Sequence, residues 1–150
     1  MSKYKWKIVL LIWVCLILVA CIGAVGIYSY KAGEREVSEE LLHAFYTFDL
    51  PTIADNDKRI SELTTEEIYQ SHTISSSNRQ LRVYLKFQGK PVEAKIISHK
   101  DNTIYYYIES EGFDSDRTFA MRYHYSWGKI DKLVEYEVFF LPQSSRGDLE

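Results

Sequence analysis

Three features of the sequence predict an α+β domain behind a membrane-spanning helix. An uncharged apolar run covers Ile8 to Ile27, a helical apolar stripe follows from Glu34 to Phe48, and a period-two pattern starts at Gln80. Helices first and then strands joined by short linkers predict helices packed on one face of a curved antiparallel sheet. As a helix, the twenty residues Ile8–Ile27 span roughly 30 Å, the hydrocarbon thickness of a bilayer. Lys3, Lys5 and Lys7 precede the run, and Trp6, Trp13, Tyr28 and Tyr30 sit near its ends as interfacial aromatics do. The positive-inside bias predicts a cytoplasmic N-terminus and an extracytoplasmic domain. The expected division is a basic tail at 1–7, an anchor at 8–30, a domain at 31–142 and a flexible tail at 143–150.

The apolar run admits three readings. An uncleaved signal anchor fits its length best. A lipoprotein signal is the second, since Leu18-Val19-Ala20-Cys21 resembles a lipobox with Cys21 as the lipidated residue, although the residues after Cys21 stay apolar. Cleavage near Ala24 is the third. The only cysteines, Cys15 and Cys21, lie inside this run, so a disulfide within the following domain is excluded and its stability must come from its core. Without the three N-terminal lysines, 15 basic and 21 acidic residues remain, a net charge of −6. Such a domain is a poor partner for nucleic acid or an anionic membrane surface. The absence of domain cysteines and of Asn-x-Ser/Thr acceptors agrees with export from a Gram-positive bacterium.

Within Glu34–Phe48, Val37, Leu41, Ala44, Phe45 and Phe48 recur at helical spacing beside a charged face. Asp49-Leu50-Pro51 reads as a stop and restart, with proline in the first turn of a short helix. Thr64-Thr65-Glu66-Glu67 matches a capping box in which Thr64 accepts from the Glu67 amide, predicting a helix from Thr65 to about His72. Ser75-Ser76-Ser77-Asn78 reads as a polar break. Five strands are then expected. The first alternates Leu81, Val83, Leu85 and Phe87 with polar residues and ends at Gln88-Gly89-Lys90-Pro91. The second is Val92–His99, turning at Lys100-Asp101-Asn102. The third, Thr103–Glu111, buries either Ile104, Tyr106 and Ile108 or the opposite pair Tyr105 and Tyr107. The fourth, Arg117–Trp127, puts Phe119, Met121, Tyr123, Tyr125 and Trp127 on one face. Gly128-Lys129 signals a tight turn into the fifth, Ile130–Leu141.

This order of anchor, amphipathic helix, short helix, capped helix and terminal meander resembles the cone-shaped nuclear transport factor 2 superfamily, a cystatin-like architecture. Among anchored members, it is similar to small scaffold proteins of bacterial conjugation and type IV secretion. The resemblance covers about residues 34 to 141 and lies in element order and anchor placement, with Phe45–Asp57, Leu63–Tyr69 and Tyr123–Val138 the nearest segments. It implies a scaffold with no catalytic residues and no cofactor, working among other membrane-associated subunits or its own copies.

Enzymatic chemistry finds little support in the residues themselves. His43, His72, His99 and His124 are scattered without metal-ligand spacing. Asp55-Asn56-Asp57 and Asp114-Ser115-Asp116 lack the rest of a calcium loop. There is no nucleophile elbow and no phosphate-cradling glycine loop. If the cone held a pocket enzyme, Asp49, Tyr106 and His124 would be its residues. Arg146-Gly147-Asp148 is a tripeptide that chance readily supplies. The sharper signal is aromatic. Tyr105, Tyr106, Tyr107, Tyr123, Tyr125, Trp127 and Tyr136 crowd into neighbouring strands, and alternation allows only one face of each into the core. The expectation is a partner-binding surface built on Tyr105, Tyr107, Tyr123 and Tyr125, with Arg122 and Glu109 at its rim. The function expected is a non-enzymatic scaffold; an extracytoplasmic immunity or ligand-binding protein is the alternative, and a pocket enzyme the third reading.

Overall fold

A computed structural model describes residues 3–113 and 117–139, with the side chains of residue 3, residues 72–79 and residue 81 left aside. The chain divides into two compact units, one up to Arg35 and one from Glu36 onward. Helix α1 runs Lys3–Tyr46, and its apolar N-terminal part is long and apolar enough to cross a membrane. No proline lies in this helix, and its glycines Gly23, Gly26 and Gly33 do not interrupt it, so the anchor and the amphipathic stripe expected as separate elements are one element.

In the second unit the end of α1 supplies the core, with Leu41 and Leu42 fully buried and Ala44, Phe45 and Tyr46 nearly so. The helix ends where Phe48 leaves it to exchange backbone hydrogen bonds with Val92, of 2.8 and 2.9 Å. Asp49 then caps a single 3-10 turn, Leu50–Thr52, accepting from the Leu50 amide at 2.8 Å while Thr52 Oγ1 accepts from the Asp49 amide at 2.9 Å. Pro51 sits in the first turn, where its missing N–H costs nothing. Helix α2, Ile53–Leu63, follows and buries Ile60 and Leu63.

The capping box expected at Thr64 is not formed. The Thr64 hydroxyl turns back to donate to the Ile60 carbonyl at 2.7 Å, satisfying the end of α2. Helix α3, Glu66–Lys86, starts one residue later, after Thr65, without a side-chain cap. Glu66 and Glu67 in its first turn suit the helix dipole.

The larger correction is the length of α3. It passes through Ser75–Asn78 and takes in the segment expected as the first strand, so among the described residues the sheet has four strands and not five. No glycine or proline stands between Glu66 and Gln88, so nothing in the backbone forces a break. Tertiary bonding then favours the helix. Nε2 of buried Gln80 donates to the carbonyls of Ala44 and Phe45, each at 2.9 Å, capping the last turn of α1. Helical geometry leaves Leu85, a residue the strand reading buried, 65% exposed. Gln88-Gly89 still acts as a terminator, with the Gly89 amide bonded to the Tyr84 carbonyl at 2.9 Å and φ of 72° at Gly89.

The sheet is an antiparallel meander in the order β1 (Val92–Lys100), β2 (Thr103–Ser110), β3 (Thr118–Ser126) and β4 (Lys129–Val138). Its two tight hairpins use residues with positive φ, Asp101 and Asn102 in one, Trp127 and Gly128 in the other. The helices cover one face, onto which Ile104, Tyr106, Met121, Tyr123 and Ile130 point. This settles the choice left open in β2 in favour of Ile104, Tyr106 and Ile108. Phe119, Met121, Tyr123 and Tyr125 do share a face, whereas Trp127 leaves it for the hairpin tip and is 97% exposed. The expected flexible tail, the Arg146-Gly147-Asp148 tripeptide and Asp114–Asp116 lie outside the described residues.

Candidate functional site

Strand alternation decides which aromatics can meet a partner. On the face of the sheet opposite the helices, β2 presents Tyr105, Tyr107 and Glu109, β3 presents Ala120, Arg122 and His124, and β4 presents Lys132, Val134 and Tyr136. Tyr105 pairs across with Ala120, and Ala120 with Tyr136, so one apolar row crosses three strands. Ala120 is fully buried, with these two tyrosines opposite it on either side. Val134 is 59% exposed and Tyr136 40%. Among the described residues, no helix or loop belongs to this layer.

The expected surface therefore splits. Tyr105, Tyr107, Arg122 and Glu109 stand together on the open face. Tyr123 and Tyr125 stand on the helix-covered face, where Tyr123 is buried and Tyr125 packs against the core. The signal that separates them is register, since Tyr123 and Tyr125 follow Met121 at even spacing and Met121 pairs with the core residue Ile104, whereas Tyr105 pairs with Ala120. Tyr123 and Tyr125 share one face as the sequence predicts, but that face is the covered one and not the partner surface expected. Tyr136, in β4, completes the open face in their stead.

Beneath the helices the sheet carries two polar clusters. Nδ1 of His99 lies 2.8 Å from Oε1 of Glu39, and its Nε2 lies 2.7 Å from the Tyr123 hydroxyl. The Tyr46 hydroxyl donates to Oε1 of Glu135 at 2.5 Å, and Tyr106 reaches the same oxygen at 3.3 Å. The Tyr46 and Tyr106 rings stack at 5.3 Å. Burial, then the proximity of Tyr46 and Glu135, pushes the Tyr106 hydroxyl well above the usual tyrosine range. These groups satisfy one another's hydrogen bonds around the core, an arrangement that rigidifies a fold.

The residues named for a pocket enzyme do not converge. Asp49 caps the 3-10 turn, Tyr106 is buried in the core, and His124 lies on the open face with Nδ1 2.6 Å from Oδ1 of Asp131. Asn56 donates to the Thr47 carbonyl at 3.0 Å and Asp57 Oδ2 accepts from Tyr69 at 3.2 Å, while the other Asp57 oxygen is buried without a hydrogen-bond partner. Burial, followed by the Asp57 charge, raises the Tyr69 hydroxyl. Among the described residues no three histidine, cysteine, aspartate or glutamate side chains gather as a metal site. An open groove of about 620 Å³ lies at the acidic end of the sheet, lined by Pro91, Glu93, Glu109, Ser110 and Phe113 among others. Within it Glu93 and Glu109 are directly opposite each other in register, and Lys95 bonds Glu93 at 2.9 Å. That bond raises the Lys95 ammonium above its ordinary value. Cys15 and Cys21 are exposed on the apolar part of α1.

Comparison with protein-family models, curated proteins and solved structures finds no match to this chain.

Proposed function

We propose that this protein is a membrane-anchored interaction module that holds partner subunits on the open face of its sheet, without chemistry of its own. The single observation that carries the reading is the row Tyr105–Ala120–Tyr136, an aromatic band on the layer that no described helix covers. Tyrosine rings give large contact area at low entropic cost, and arginine at the rim adds directional hydrogen bonds, so Tyr105, Tyr107, Tyr136 and Arg122 have the composition of an interface centre and its edge. In this reading the apolar part of α1 is the anchor, with Lys3, Lys5 and Lys7 in the cytoplasm and the sheet outside. Anchoring confines the domain to a thin layer, which raises its effective concentration toward other membrane-bound subunits and lets weak interfaces suffice. The finer form of the proposal is an assembly subunit of a conjugative type IV secretion machine; element order alone supports that version.

The test is a triple variant, Tyr105→Ala, Tyr107→Ala and Tyr136→Ala, in the full chain. Crosslinking to membrane-associated partners should fall while the far-ultraviolet circular dichroism stays unchanged. Undiminished crosslinking in a folded variant would refute the surface. Loss of function on Asp49→Ala or His124→Ala in a folded protein would favour a pocket activity instead.

A further inference from the structure

The open face is electrostatically polarised along the strands. At one end Glu93 and Glu109 are cross-strand neighbours, a like-charge pairing that sheets ordinarily avoid. At the other end Lys100 pairs with Thr103 and Thr103 with Arg122, which places two cations on either side of a small polar residue, and Lys132 lies one position further along. Among the described residues, neither Lys100 nor Arg122 has an ion-pair partner. Between the two charged rows runs the band of Tyr105, Tyr107, Ala120 and Tyr136. A domain whose net charge is −6 thus displays a distinct cationic row on its one uncovered layer.

We infer that the partner seated on this face is a second copy of the chain, packed sheet to sheet about a two-fold axis that runs across the strands between Tyr105 and Tyr107. The inference rests on the reading of this face as an interface and names its occupant. A two-fold contact must be self-complementary, because the same patch serves both copies. An axis in that position lays each strand over its own copy in the opposite direction. Lys100 and Thr103 share a row on one side of the axis, three residues along β2 and four along β1 where a bulge after Ile96 adds one, and Glu93 and Glu109 share a row three residues to the other side. Lys100 then meets Glu93 of the second copy, strand over its own copy, while Arg122 lies one strand away from Glu109 of the second copy and adds its positive field there. The two tyrosines astride the axis fill the centre, as aromatic hot spots do, and sheets packed this way lie about 10 Å apart. The Glu93–Glu109 pairing is offset within the chain by Lys95, 2.9 Å from Glu93, and across the interface by Lys100 of the second copy. Anchors in one membrane layer bring copies together at high effective concentration.

Charge-reversal crosslinking in intact membranes tests this, using the full chain with Cys15→Ser and Cys21→Ser and one new cysteine at Ser98, the exposed cross-strand neighbour of Tyr105 beside the axis. A bismaleimide should give a species of twice the chain mass, and Lys58→Cys on α2 should not. Lys100→Glu alone and Glu93→Lys alone should each reduce that species by about tenfold, as like charges are then opposed. Mixing the two single-reversal chains should restore it, because each copy then supplies the charge the other needs. Equal yield from Ser98→Cys and Lys58→Cys, or single reversals without effect, would overturn the second-copy assignment. A Ser98→Cys adduct of another mass, with none at twice the chain mass, would overturn it too while leaving the interface reading standing. No adduct of any kind from Ser98→Cys would sink both.

Discussion

Nε2 of His99 lies 2.7 Å from the hydroxyl of Tyr123, while its Nδ1 lies 2.8 Å from Glu39, so one imidazole ties α1 to β1 and β3. The His99 side chain is almost wholly buried. Replacing it with phenylalanine removes these two hydrogen bonds from the Tyr123 hydroxyl and the Glu39 carboxylate, a loss that a ring of similar size does not recover. His99→Phe should lower stability by about 2 to 3 kcal/mol. Chemical denaturation in mild detergent measures it, and an unchanged midpoint would show the link to be dispensable.

Gln80 does the same for the far end of α1. Gln80→Leu keeps the volume but leaves the Ala44 and Phe45 carbonyls without their donor. The expected loss is about 1 to 3 kcal/mol. A gain in stability would mean that other donors or water satisfy these carbonyls.

Tyr106 gives the fold an alkaline limit. Its hydroxyl is held neutral by burial and by nearby Tyr46 and Glu135 beyond the ordinary value of 10.0. Below that pH both native and unfolded chains keep the proton, so this group contributes no slope. Above it the unfolded chain releases the proton while the native chain retains it, so stability falls as pH rises, by up to about 1.4 kcal/mol per pH unit. Melting curves from pH 8 to 11 should show a steeper decline in the parent than in Tyr106→Phe. Parallel declines would contradict this assignment.

Trp127 occupies a left-handed backbone position, φ 51°, at a hairpin tip beside Gly128. Asparagine tolerates that conformation far better than a bulky aromatic does. Trp127→Asn should raise stability by about 0.5 to 1 kcal/mol, the scale of a relieved backbone mismatch. A fall in melting temperature would mean that the exposed ring makes contacts that matter to the folded state.

The legible parts of this sequence were those with one physical signal. The uncharged run from Ile8, the Asp49–Pro51 restart, the Asp101-Asn102 turn and four of the five expected strands each follow from local chemistry, whereas Gly128-Lys129 signals the second hairpin but leaves Trp127 in the strand before it. The segment from Leu81 to Phe87 was not legible, because its alternation suits a strand and its lack of glycine or proline suits a helix equally. The deciding contact, Gln80 on the carbonyls of Ala44 and Phe45, spans more than thirty residues and leaves no trace in local pattern. Leu85→Lys separates the two outcomes, since an exposed position in the last turn of a helix tolerates a cation within about 0.5 kcal/mol. The candidate surface was half legible for a related reason. Composition pointed to Tyr105, Tyr107, Tyr123 and Tyr125 together, but only the register between β2 and β3 assigns them to opposite faces.

The central claim is that the open face of the sheet is covered in the membrane-bound protein. Thiol-labelling rates test it directly, comparing Val134→Cys on that face with Lys58→Cys on α2, both in the Cys15→Ser and Cys21→Ser background. In native membranes Val134→Cys should label at least about tenfold more slowly than after dilution into detergent, as burial in an interface requires, while Lys58→Cys labels at one rate throughout. Equal and unchanged rates at both positions would contradict the account.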